Sequence, residues 1–234
     1  MQLFTREWGT GDRHAVLIHG VMSDSRNWRT VGPALADLGY HVVAVDLPGH
    51  GNSPKAAEYT PELLAASVIE SVPAHPHLAM GHSLGGYVLS LALPELQPTR
   101  AIYVDPAFSS PRLPWWLRLL APMSVRRLLA SSREKIARNN PRWDPEDVEV
   151  EAETFRAFDQ RMIGMMLEPD AFRAPTSMLV PSLMVLADNS QLVNDELAER
   201  MRLAGFEVRV VRGATHTVNR DDFAAFMAAL DGWL

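Results

Sequence analysis

The chain has no cysteine, only two lysines (Lys55 and Lys135), and no apolar run that approaches the roughly 18 residues of a membrane-spanning helix. Without cysteine there are no disulfide staples, no thiolate catalysis and no cysteine metal site, so any nucleophile must be oxygen-based or nitrogen-based. The formal net charge of −6 is offset by no basic block, which argues against a nucleic-acid groove or an anionic membrane surface as partner. A neutral or uncharged small molecule is the expected partner. The H-E-x-x-H pattern and clustered histidine-carboxylate spacings are also missing, so no metal and no cofactor are expected. The stretch from Met1 to His14 carries charges and glycines where a secretory signal would carry an apolar run. The expected location is therefore the cytoplasm.

What is present is the pattern of a parallel sheet. Short apolar segments recur at Ala15-Val16-Leu17-Ile18, His41 to Val45, Leu78-Ala79-Met80, Ala101 to Val104, Leu183 to Leu186 and Val208 to Val211. Most are continuous and do not alternate, as strands buried on both faces do. Between them lie amphipathic stretches, Asn27 to Leu38, Ser83 to Leu93, Asn194 to Leu203 and Arg220 to Leu230. Alternating strand and helix in a chain of 234 residues predicts one α/β domain, a mostly parallel sheet with helices on both faces. The alternation stops between 106 and 175, where the pattern is helical and proline marks the edges. The expected organisation is a core of residues 1–105 and 176–234 with a helical lid of residues 106–175 inserted at the sheet edge where ligands bind. Within the lid, Trp115, Trp116, Phe155, Phe158, Met165 and Met166 either line an apolar pocket or pack the lid onto the core.

The chemistry centres on Gly81-His82-Ser83-Leu84-Gly85-Gly86, a G-x-S-x-G turn with an apolar strand before it and a helix former after it. A strand that turns at once into a helix leaves its apical serine on a strained backbone, and glycines on either side remove the side chains that would collide there. The same turn sets the Leu84 amide at a helix N-terminus, suited to a developing negative oxygen. A serine hydroxyl needs a base, and of the eight histidines His216 lies where chain order requires one, on the loop after the last strand. The Leu17-Ile18-His19-Gly20-Val21 segment ends a strand in His-Gly, which lets the Val21 amide point at the same oxyanion and leaves His19 to brace the loop.

With these motifs in order, the chain resembles the α/β-hydrolase fold superfamily over nearly its whole length. Asp46-Leu47-Pro48-Gly49-His50-Gly51-Asn52-Ser53 is similar to that family's D-x-P-G-x-G-x-S turn, whose role is structural. The resemblance implies a Ser-His-acid triad, and in most members the acid follows the strand after the lid. Here that loop reads Ala187-Asp188-Asn189-Ser190, with Ser190 where the aspartate usually stands. A minority of the family places the acid after the strand before the lid, as some lactonases do, and Asp105 occupies that place. Asp105 is the expected acid and Asp188 its rival. The implied function is a serine hydrolase that cleaves an ester, lactone or thioester through an acyl-enzyme on Ser83. A carbon–carbon hydrolase, lyase or cyclase with the same triad, or a non-catalytic ligand-binding member of the fold, is the alternative.

Overall fold

The computed structural model describes residues 1–110, 123–168 and 171–234. Seven strands form one sheet: β1 (Thr5–Trp8), β2 (Arg13–Ile18), β3 (Tyr40–Val45), β4 (Leu78–His82), β5 (Arg100–Val104), β6 (Ser182–Ala187) and β7 (Glu207–Val211). Their spatial order is β1-β3-β2-β4-β5-β6-β7. Every neighbouring pair is parallel except β1 with β3. The antiparallel β1 is too short and too polar for periodicity to reveal it.

The continuous apolar runs have a simple origin. Along β2, Ala15 and Leu17 face one hydrophobic layer while Val16 and Ile18 face the other. In β5, Ile102 and Val104 oppose Ala101 and Tyr103 in the same way. Such period-two alternation between two covered faces leaves no position for a polar side chain. The edge strand β7 departs from this, because only Val211 of its five residues is buried.

One face is covered by α1 (Val31–Asp37) and by α10 (Phe223–Ala228), with Leu35 and Phe226 fully buried. The other carries α2 (Pro61–Ser71), α3 (Leu84–Leu96) and α8 (Asp195–Leu203), which contribute Leu64, Val88 and Met201. The long amphipathic stretches of the sequence are broken in the structure. Asn27 to Leu38 divides into a 3-10 turn, Ser25–Trp28, and α1, and Arg220 to Leu230 divides between α9 (Val218–Asp221) and α10.

Between β5 and β6 the described helices are α4 (123–129), α5 (Arg133–Asn139), α6 (Pro145–Ala157) and α7 (Met162–Leu167), with one isolated bridge between Ser109 and Arg173. Side-chain caps start two of them, with Ser132 accepting from the Lys135 amide and Asp144 from the Glu146 amide. Among the described residues no helix is long and apolar enough to cross a membrane.

The elbow requires close approach of backbones. A Cβ on Gly85 would lie 2.2 Å from the Ile18 carbonyl oxygen and 2.5 Å from that of His19, so α3 could not start against β2. Gly164 on α7 has nothing within 4 Å of such an atom. Gly85→Ala is therefore expected to cost on the order of 3 kcal/mol. Gly164→Ala should stabilise by about 0.5–1 kcal/mol by removing chain entropy within a helix. Denaturant midpoints of the two variants check both.

Candidate active site

Four strand ends converge on one cleft. The loop after β2 brings Val21, the turn after β4 brings Ser83, the residue after β5 is Asp105, and the loop after β7 carries His216. All four line a cleft of about 590 Å³ together with Met166 and Ser190.

Ser83 stands at φ 53°, ψ −119°, a strained backbone position for a residue with a side chain. The surroundings hold it there. Its amide donates to the Val104 carbonyl at 3.0 Å, and its own carbonyl accepts from Gly86 at 3.0 Å and Ala107 at 2.9 Å. Neighbouring strand, following helix and the chain after β5 thus all grip one residue. Leu84 is the first residue of α3, and among the described residues neither its amide nor that of Val21 donates to a protein acceptor. The next amide along, Met22, is turned away to His50 Nε2 at 3.2 Å. Val21 and Leu84 are left with the donors that an oxyanion would need.

His216 Nδ1 donates to Asp105 Oδ2 at 2.6 Å. Asp105 is only 1% exposed, whereas the His216 side chain is 44% exposed and open to the cleft. Burial by itself would push the Asp105 carboxyl up. The hydrogen bonds from His216 and the Ala187 amide, with the Ser190 side chain nearby, outweigh it and hold the group below the ordinary carboxylate range. The Ser190 oxygen itself accepts the Leu192 and Val193 amides, at 3.2 and 3.0 Å.

Asp188 serves the same loop differently. Its carboxylate accepts from the Gly213 amide and the Arg212 guanidinium, both at 3.1 Å, and its amide donates to the Ala214 carbonyl at 3.1 Å. These two donors hold its carboxyl below the usual range. Asp221, at the end of α9, accepts from the Thr215 amide at 2.5 Å and from Trp143 Nε1 at 3.0 Å. The His216 loop is thus pinned at Gly213, Ala214 and Thr215 before His216 meets Asp105. Periodicity could not reveal these pins, although an aspartate in each flanking segment was visible.

Two further histidines brace the opposite wall. His19 Nδ1 donates to the Gly20 carbonyl at 2.6 Å while its Nε2 accepts the Leu47 amide at 2.9 Å. His50 donates to the Pro48 carbonyl and accepts Met22, joining the glycine turn to the loop that bears Val21. Burial lowers both, His50 to about 3, so they are neutral struts. Asp46 holds the glycine turn by accepting the Ser25 and Asn52 amides at 2.7 and 2.8 Å.

The residues expected to line an apolar pocket part company. Met166 reaches the cleft. Phe158 does not line it. Its ring packs 5.1 Å from that of His50, and the next residue, Asp159, is tied to the Gly49 carbonyl and the Tyr59 hydroxyl, both at 2.9 Å. Phe158 therefore fastens the helical segment to the glycine turn, the packing alternative of the two open to it. Trp115 and Trp116 lie outside the described residues. Among the described residues no group of three or more histidines and carboxylates is placed to hold a metal ion.

Comparison with known proteins places the chain in a family. A family model described as the alpha/beta hydrolase family matches residues 15–229. A pimeloyl-[acyl-carrier protein] methyl ester esterase of Methylococcus capsulatus is 41% identical over 88 residues, which cover 38% of this chain and 34% of that protein. A putative protein-lysine deacylase of Homo sapiens is 35% identical over 96 residues, covering 36% of this chain and 46% of that one. The matched stretches thus span less than half the length of either relative. Among solved structures, a bromoperoxidase from Bacillus anthracis superposes with a TM-score of 0.79 at 17% identity, over 97% of this chain and 93% of its own, a likeness of fold alone.

Two outcomes are expected. Asp105→Asn should lower turnover by about 10⁴-fold, the loss expected when the carboxylate that fixes the histidine tautomer is removed, while Asp188→Asn should have a much smaller effect; steady-state kinetics of the two variants distinguish them. His50 and His82 are both pushed down to about 3 from an ordinary 6.5. Across that window the unfolded chain takes up protons that the folded one refuses. Stability should fall with falling pH by about 1.4 kcal/mol per pH unit for each such histidine. Urea denaturation at several pH values in this window measures the slope, and His50→Gln should reduce it by one histidine's share.

Proposed function

Because this chain belongs to the alpha/beta hydrolase family, we propose that it is a serine hydrolase that cleaves an ester, lactone or thioester of a small neutral substrate through an acyl-enzyme on Ser83. The observation that carries this reading is the Asp105–His216 hydrogen bond of 2.6 Å at the mouth of the cleft that Ser83 also lines. In this mechanism the Ser83 hydroxyl attacks the substrate carbonyl and passes its proton to His216 Nε2. Asp105 keeps the His216 proton on Nδ1, which leaves Nε2 free to accept, and it stabilises the imidazolium that follows. The Val21 and Leu84 amides bind the tetrahedral oxyanion. His216 then protonates the departing alcohol, thiol or lactone oxygen, and a water activated by the same histidine hydrolyses the acyl-serine.

The cleft itself supports a neutral acyl group. Val21, Met166 and Leu192 supply apolar walls, and among the described lining residues there is no lysine or arginine to pair with a substrate carboxylate. The helices of 106–175 act in this reading as the lid, with Met166 on its inner side. Both relatives, a methyl ester esterase and a putative deacylase, are named for breaking an acyl–heteroatom bond. That favours acyl transfer over carbon–carbon cleavage, lyase or cyclase chemistry on the same triad.

Intact-mass analysis after exposure to a small fluorophosphonate tests the reading. A single adduct on the wild type that Ser83→Ala lacks is the expected result, accompanied by hydrolysis of short-chain aryl esters. An unreactive Ser83 in protein that binds small ligands without turning them over would reject the hydrolase.

A further inference from the structure

The residue before the nucleophile has no part in the mechanism above, yet its side chain meets both the backbone and the ring of His216. His82 closes β4 and is 4% exposed. Its Nε2 lies 2.9 Å from the His216 carbonyl oxygen. A carbonyl only accepts, so Nε2 carries the proton and donates. The two imidazole rings lie 4.7 Å apart between centroids and 39° apart in plane. On its other side the ring faces the loop that carries Val21, since a Cβ on Gly20 would be 3.0 Å from His82 Nδ1 and 2.9 Å from Ser83 Cβ.

The electrostatic surroundings agree with a neutral ring. Burial is the main cause that lowers His82, to about 3, with the adjoining His216 and Arg220 acting in the same direction and Asp105 opposing them. A neutral ring that donates from Nε2 has a bare acceptor at Nδ1. That atom is buried with no hydrogen-bond partner among the described residues. Leaving a buried acceptor unpaired is unfavourable, and an apolar side chain of the same size would avoid it. What the imidazole supplies in return is a planar spacer with one directed donor, wedged between the Gly20 backbone and His216.

We propose that His82 is a positioning residue for His216, holding the histidine's backbone through the Nε2–H bond and its ring through tilted ring-to-ring packing, so that the base stays in register with Asp105 and with Ser83. The role rests on the triad reading. The other contacts to the His216 loop hold Gly213, Ala214 and Thr215, and among the described residues His82 alone holds His216's own peptide. Loss of that contact frees the ring to tilt away from Asp105. The His216–Asp105 hydrogen bond then slackens, and the imidazolium loses part of its stabilisation.

Three proteins test this: wild type, His82→Phe, which keeps a flat ring without a donor, and His82→Gln, which restores an N–H near the place of Nε2. Expected for His82→Phe is a fall in kcat of about 10²-fold with little change in KM, as misplacement of a catalytic group by about an ångström produces. The acid limb of its kcat/KM profile should move to lower pH, and the downfield proton resonance of the His216–Asp105 bond should broaden or shift. His82→Gln should recover much of the turnover. A folded His82→Phe with wild-type kcat, pH profile and downfield resonance would overturn the proposal, as would equal damage in the Phe and Gln variants. The resonance is observed in the resting protein without substrate. Should the wild type prove unreactive to fluorophosphonate, the triad reading fails, while the effect of His82 on the His216–Asp105 bond is still measured.

Discussion

The buried charge of Asp105 is the constraint on which the arrangement depends. A carboxylate with 1% exposure at the end of a central strand is unfavourable unless it is answered by donors. The Ala187 amide and Ser190 answer it in part, but His216 provides the short, directed bond. His216 arrives on the loop after β7, and β6 stands between β7 and β5. The loop must reach back over the end of β6, and the contacts of Asp188, Asp221 and His82 hold it in that crossing. The loop is thus held by many small bonds, between residues Val211, Ala214 and Val218 that anchor it in the core.

Environment divides the histidines into two kinds. His19, His50 and His82 are buried, neutral and each committed to a backbone carbonyl through one nitrogen. His216 has a carboxylate on one nitrogen and a side chain 44% exposed, so its second nitrogen faces the cleft. The same side chain is a strut in a dry setting and, in the proposed mechanism, a proton carrier in a wet one. Neutral struts suit this place, because a second charge beside His216 would oppose the imidazolium of the proposed acyl transfer.

The loop after β6 shows how an altered residue is absorbed. With Ser190 where the resemblance leads one to expect an acid, the carboxylate is drawn from the other side of β6. Ser190 keeps a share in the hydrogen bonding, and Asp188 turns toward Arg212 and Gly213, where its charge secures the loop. Two aspartates that look interchangeable in the chain take different tasks because one ends a buried strand and the other sits in a half-exposed turn.

Much of the fold and the candidate nucleophile could be read in the residues themselves. The apolar runs located the five inner strands because both faces of each are covered, and the edge strand β7 besides, and G-H-S-L-G-G prescribes its own strained turn through steric effects that span only a few residues. Local chemistry of this kind is written into consecutive positions. The short polar β1, the breaks within the amphipathic stretches and the fastening role of Phe158 were not, since each depends on a partner far along the chain. The choice between Asp105 and Asp188 belongs with them. Asp105 and His216 are 111 residues apart in sequence, and which carboxylate His216 meets is decided by strand order and by the loop's path across β6. A hydrogen bond needs its atoms within about 3 Å, and only the folded sheet brings distant residues that close.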